Sequence, residues 1–100
     1  MRKDELLFIK SCKENKPEKV RAYLTLAEDL EFDINADDDD GNTAAQYAAN
    51  NGYTEVMKIL AATGLVDWNK RDGNGRTPLD LALLHVNLEV AEIIVEMMLT

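Results

Sequence analysis

Residues 67–99 read DWNKRDGNGRTPLDLALLHVNLEVAEIIVEMML, and this stretch decides the fold. Asp72-Gly73-Asn74-Gly75 is dense in residues that tolerate a left-handed backbone, so it reads as the tip of a tight hairpin. Thr77 followed by Pro78 then opens a helix, because a threonine hydroxyl accepts from a free first-turn amide and proline loses nothing at the first helical position. Leu79, Leu81, Ala82 and Leu84 make a short apolar helix that runs to about His85. A longer helix follows over Leu88–Leu99, with Glu89, Glu92 and Glu96 on one stripe and Val90, Ile93, Ile94, Met97 and Met98 on the rest. The unit is hairpin, short helix, longer helix.

Sliding the chain by 34 positions brings the unit onto itself. Residues 33–61 laid on 67–95 match at Asp33/Asp67, Asn35/Asn69, Asp38/Asp72, Gly41/Gly75, Thr43/Thr77, Ala48/Ala82, Glu55/Glu89, Val56/Val90 and Ile59/Ile93. Nine identities in 29 positions compare with roughly two expected from ordinary composition. In this first copy Asp37 to Gly41 form the turn and Thr43 the cap. A small-residue helix runs through Asn50, Gly52 breaks the chain, and a second helix spans about Thr54 to Ala62. Upstream, DELLFIKSCKENKPEKVRAYLTLA reads as another helix pair with its turn at Lys16-Pro17. Phe8, Ile9 and Cys12 give one apolar side and Val20, Tyr23 and Leu24 the other. No hairpin precedes it, which suits a terminal unit with a lysine-rich outer surface. The expected division is a capping helix pair over 1–32, a central repeat over 33–66 and a C-terminal repeat over 67–100.

DGNGRTPLDLALLHVNLEVAEIIV and DDDDGNTAAQYAANNGYTEVMKIL resemble ankyrin repeats, whose pattern is an Asp-x-x-Gly-x-Thr-Pro-Leu turn, a helix with Leu-Ala and a helix with Glu-Ile/Val-Val. The chain departs from that pattern at Ala44-Ala45, where Pro-Leu would stand, and at Gln46 and Asp80, which replace the frequent histidine. Val86 departs too, since Gly52 fits the pattern better, and segments 25–32 and 61–66 are longer than usual. Tetratricopeptide repeats share the 34-residue period but lack a Thr-Pro helix start after an Asp/Asn/Gly hairpin. The resemblance implies an all-α repeat solenoid of helix-turn-helix pairs joined by β-hairpin-like loops.

Composition narrows the function by exclusion. The chain has 100 residues, 46% apolar and 30% charged, with 19 acids against 11 bases and a net charge of -8. A general phosphate-backbone binder needs basic clusters, so a nucleic-acid role is not expected. Residues 1–21 are net +3, residues 22–40 hold eight acids and no base, 67–76 are net +1 and 77–100 net -4. One cysteine, Cys12, and one histidine, His85, supply neither a disulfide nor a structural zinc site. With no Asn-x-Ser/Thr acceptor, no apolar signal core after Met1 and no run long enough for a bilayer, an intracellular protein of cytoplasm or nucleus, without direct membrane insertion, is expected.

The sequence carries no recognisable catalytic or metal-ligating pattern. Asp37-Asp38-Asp39-Asp40-Gly41 fails as a calcium loop, because with Gly41 as the turn glycine the first ligand is Ala36 and the last is Tyr47. His85 has no catalytic or ligand partner at a recognisable spacing, and Gly73 and Gly75 precede no Lys-Ser/Thr, so no enzyme, no cofactor and no metal are expected. Trp68 reads as packing at a hairpin base, with a partner-anchoring role as the alternative.

Stacked units leave a concave surface of hairpin tips and inner helices, and its rigidity suits recognition of a partner protein. By the ankyrin resemblance, contacts are expected from Asp39, Asp40, Asn42, Gln46, Asn50 and Asn51 in one unit and Arg71, Asn74, Arg76, Asp80, Leu84 and His85 in the next. The surface is acidic at one finger and basic at the other, so a partner carrying both signs, with a basic segment against the aspartates, fits it. Alternatives are a structural segment of a longer array, a small inhibitor that blocks a partner's surface, and a ligand or ion binder. The apolar circumference of Leu88–Leu99 calls for a cover: another repeat, a partner, or self-association through this helix.

Overall fold

Three times the chain builds a helix, reverses through one left-handed residue, and builds a second helix antiparallel to it. In the computed structural model, which describes residues 2–27 and 32–100, these are α1 (Arg2–Lys13) and α2 (Pro17–Ala27), α3 (Ala44–Asn51) and α4 (Thr54–Ala62), and α5 (Pro78–Leu84) and α6 (Leu88–Leu99). The reversals are at Asn15 (φ 56°), Gly52 (φ 71°) and Val86 (φ 57°). At each, the next amide donates to a carbonyl five residues back: Lys16 to Ser11 at 2.9 Å, Tyr53 to Ala48 at 3.0 Å and Asn87 to Ala82 at 2.8 Å. These bonds satisfy carbonyls that a helix end would leave open. Glycine adopts this backbone freely and asparagine tolerates it, whereas a β-branched valine is strained there.

Helix starts follow the threonines. Thr43 and Thr77 are N-caps in extended conformation, their hydroxyls accepting from the amides of Gln46 and Asp80, both at 3.2 Å. The Gln46 and Asp80 side chains reach back to accept from the Thr43 and Thr77 amides at 2.8 and 3.0 Å. The two departures from histidine at this position thus close reciprocal capping boxes. Pro17 is the first residue of α2, and α5 ends at Leu84 with His85 as its cap.

The helices stack in two layers. Inner helices α1, α3 and α5 touch in sequence, outer helices α2, α4 and α6 do likewise, and each inner helix packs on its own outer partner. One continuous core runs between the layers: Phe8, Ile9, Cys12 and Val20 from the first pair, Ala45, Ala48, Ala49, Val56, Met57 and Leu60 from the second, and Leu81, Ala82, Val90, Ala91 and Ile94 from the third. The alanines of α3 are what let it sit close between its neighbours. Tyr23, Leu24 and Trp68 are half-buried against this core, and Phe32 packs edge-to-face on Phe8 with ring centres 5.0 Å apart. Cys12 is a packing residue, fully buried, its thiol pushed up to about 12 by burial.

The 34-residue identities have a structural reason. Asp33, Asp38, Asp67 and Asp72 each fold a carboxylate over the amide two residues on, and Asp38 and Asp72 also take the amides of Asn42 and Arg76. Asn35 clips one loop to the next, donating to the Leu65 carbonyl at 3.0 Å and accepting from the Asp67 amide at 2.8 Å. The expected hairpins are reduced: one antiparallel bridge, Asp37 with Thr43, forms in the first copy, and the described residues hold no strand. The long 61–66 connection turns at Gly64 (φ 69°), and of the long 25–32 connection residues 28–31 lie outside the described residues.

Candidate interaction groove

Two finger-like loops project beside the inner helices, and between them lies a groove of about 220 Å³ lined by Asn42, Gln46, Tyr47, Asn50, Asp72, Asn74, Arg76 and Leu81. Asx turns hold the finger tips, with Gly41 (φ 79°) and Gly75 (φ 78°) supplying the left-handed residue each tip needs. Tyr47 braces the first finger against α3: its hydroxyl donates to Asp38 Oδ2 at 2.5 Å, and Lys13 Nζ sits 5.4 Å from the centre of its ring. Burial and this hydrogen bond to Asp38 raise the phenol to about 12. On Asp38, burial pushes the carboxyl up, but bonds from Tyr47 and the Asn42 and Asp40 amides, with Lys13 nearby, outweigh it and hold the group below its ordinary value.

Five of the twelve expected contact residues meet in this groove: Asn42, Gln46, Asn50, Asn74 and Arg76. Gln46 requires a correction. It is 1% exposed, and its amide is spent on the Thr43 cap and on donating to the Lys70 carbonyl at 3.2 Å, so it builds the groove wall and offers no side chain to a partner. Asp39 and Asp40 are exposed on the first finger. Arg71 donates to the Gly75 carbonyl at 2.7 Å and stands 3.9 Å from the exposed Asp80, whose carboxyl is lowered by the Thr77 bonds and by the arginines. Asn51 is exposed and donates to the Tyr47 carbonyl, while Leu84 and His85 are exposed at the end of α5, outside the groove.

Sequence reasoning missed three groove residues, Tyr47, Asp72 and Leu81. For Tyr47 a signal exists: it stands where the second copy has Leu81, and a tyrosine replacing a leucine beside a loop has a hydroxyl to place. Among the described residues no three acidic, cysteine or histidine side chains gather as a group that could hold a metal ion. No described helix is long and apolar enough to cross a membrane.

The description "Ankyrin repeats (3 copies)" matches residues 7–99. The chain belongs to the ankyrin-repeat family. Ankyrin repeats are in general protein–protein interaction modules and are typically non-enzymatic. The chain is 31% identical over 83 residues to "Putative ankyrin repeat protein L271" of Acanthamoeba polyphaga mimivirus, covering 83% of the chain and 11% of that protein. It is 44% identical over 50 residues to "Putative glutaminase 2" of Caenorhabditis elegans, covering 50% of the chain and 8% of that protein. It therefore spans about a tenth of the length of these curated relatives.

Proposed function

We propose that this ankyrin unit binds a segment of a partner protein in the groove between its two fingers. The observation that carries the reading is the meeting there of Asn42, Asn50, Asn74 and Arg76 above an apolar wall of Leu81 and the Tyr47 ring. Carboxamides can both donate to and accept from a peptide backbone, and an arginine can hold a carboxylate with two bonds. Asp39 and Asp40 flank one side and Arg71, Arg76 and Asp80 the other, which supports a partner with basic residues facing the first finger and an acidic one at Arg76. Asn51, Leu84 and His85 would extend the contact along the ends of the inner helices.

We read residues 1–32 as the capping unit, 33–66 as the central repeat and 67–100 as the C-terminal repeat, and place the protein inside the cell. Binding without catalysis fits a module that positions a partner or blocks its surface.

Affinity capture with the wild type and three variants in parallel, followed by titration of the captured protein, tests the reading. Asp40→Lys and Arg76→Glu should each weaken binding, and Lys58→Glu, an exposed outer-helix change of the same charge as Arg76→Glu, should not. A partner that ignores both finger variants and is lost from Lys58→Glu would place recognition on the convex face. Glu55 is unsuitable as the control, because it pairs with Arg21 across neighbouring units at 2.8 Å.

A further inference from the structure

The chain holds two Asn-Gly pairs, Asn51-Gly52 and Asn74-Gly75, and the fold places them in unlike surroundings. Such a pair is chemically labile, because a glycine without Cβ lets its backbone nitrogen approach the preceding carboxamide. Asn51 is the last residue of α3, and its carboxamide donates to the Tyr47 carbonyl at 3.0 Å. The Gly52 amide donates to the Ala48 carbonyl, and a Cβ at Gly52 would meet Asn87 Oδ1 at 2.7 Å. Bringing nitrogen and carboxamide together there undoes a helix end that Asn87 also clips. Asn74, in contrast, stands exposed at the tip of the second finger and lines the groove. Around Gly75 the space is open, with nothing within 4 Å of a Cβ built on it. Closure at this pair releases one turn bond, from the Gly75 amide to the Asp72 carbonyl at 3.0 Å, in an exposed loop where local opening is cheap.

The first finger shows the form that the second can take. In the 34-residue register Asp40-Gly41 stands where Asn74-Gly75 stands, on the same bonds. The Asp40 amide donates to Asp38 Oδ1 at 3.0 Å as the Asn74 amide does to Asp72 Oδ1 at 2.9 Å, and the Gly41 amide donates to the Asp38 carbonyl at 2.9 Å. An aspartate at this tip therefore keeps the turn. We propose that Asn74 is a self-modifying site, which loses its amide nitrogen to water through the Gly75 backbone and turns the second finger acidic. The Gly75 nitrogen gives its proton to solvent base and attacks Cγ of Asn74. The new N–Cγ bond forms as the Cγ–Nδ2 bond breaks, and the side-chain nitrogen leaves as ammonia. Water then opens the five-membered imide at either carbonyl, giving aspartate or isoaspartate, and nothing is oxidised or reduced. Aspartate puts a carboxylate two residues from Arg76, in the way of an acidic group of the partner; this consequence rests on the groove reading proposed above. Isoaspartate lengthens the backbone by a methylene and cannot keep the paired Asp72–Arg76 bonds.

Timed incubation of the intact chain at neutral and alkaline pH, folded and in guanidinium chloride, followed by peptide mass mapping, is the test. In denaturant both pairs should convert at similar rates. In the folded chain Asn74 should convert, faster at alkaline pH and to a mixture of aspartate and isoaspartate, while Asn51 stays intact. An Asn74 protected by folding as fully as Asn51 overturns the inference. Conversion to aspartate alone also overturns it, because water would then have attacked the carboxamide directly. Asn74→Asp supplies the charge without the reaction: its urea midpoint should match the wild type, and it should weaken a captured partner about tenfold. A lowered midpoint would refute the first finger as a template for the product. Conversion at Asn74 together with unchanged binding by Asn74→Asp would uphold the modification and refute the groove reading.

Discussion

Replacing Val86 with glycine should stabilise the protein, although valine carries more apolar surface. Val86 holds φ at 57° as the reversal after α5, in the role that Gly52 fills after α3. A left-handed backbone costs an L-residue roughly 1–2 kcal/mol, with a β-branched side chain at the upper end. Against this, glycine gives up about 0.5–1 kcal/mol more backbone entropy on folding. Little packing is lost, because Val86 is 71% exposed. The balance is a gain of about 0.5–1 kcal/mol, or roughly 2–8 °C in Tm for a domain of this size. Urea unfolding should show a higher midpoint with an unchanged slope, which separates stability from a change in the denatured chain. Val86→Ala, which keeps most of the left-handed strain, should gain less. Should glycine leave the midpoint where it was, or gain no more than alanine, the strain assigned to this turn is not stored there.

The mirror substitution at Gly52 is expected to be costly: a Cβ there would lie 2.7 Å from Asn87 Oδ1, and Asn87 donates to the Ala49 and Asn50 carbonyls at 2.8 and 3.2 Å. Gly52→Ala should cost about 2–3 kcal/mol by denaturation, and about 1 kcal/mol less in an Asn87→Ala background if this clip is what it disturbs. Removing the caps should cost roughly 0.5–2 kcal/mol each, with Thr43→Ala at the upper end because the Gln46 amide it serves is buried; melts that overlay the wild type would contradict the capping boxes. Tyr47 titrates higher in the folded chain than the ordinary value near 10, so its contribution is whole below that value and is lost as pH rises towards about 12. Asp38 is held below the ordinary carboxylate value, so its contribution is present above about pH 4 and is lost as pH falls further. Stability measured against pH should lose the Tyr47 step in Tyr47→Phe, and an unchanged alkaline limb would rule out the Tyr47–Asp38 link.

What the sequence discloses here is what is local. Thr43 and Thr77 sit three residues before the side chains that complete their boxes, and Gly52 marks a turn whose bonds close within five residues, so both could be read from spacing. Contacts reaching from one unit to the next could not. Asn87 stands where the first copy has Tyr53, so alignment of the repeats gives no hint that it caps the end of α3. Gln46 looked like a surface residue because a polar side chain on a short helix next to a loop usually is one; its burial depends on the approach of the Lys70 backbone. The groove was legible as a region and not as a set of residues. The loop positions follow from the repeat, but which of them face one another depends on how closely α5 stacks on α3.

The asparagine at position 35 joins loops about 30 residues apart, and the substantial helix contacts likewise link each unit only to the ones beside it. Such a chain behaves as a one-dimensional cooperative array, in which each unit is held by its own folding energy plus that of the interfaces it touches. The α3–α4 unit touches two interfaces and each end unit only one. Amide protons in the middle of the stack therefore exchange through opening of the whole array, while those of α1–α2 and α5–α6 have a cheaper route, the loss of one end. The two walls of the groove proposed for recognition come from either side of a single such junction. Holding a ligand there ties an end unit to the centre, and occupancy would be felt as slower fraying of α5 and α6, the elements farthest from the N-terminus.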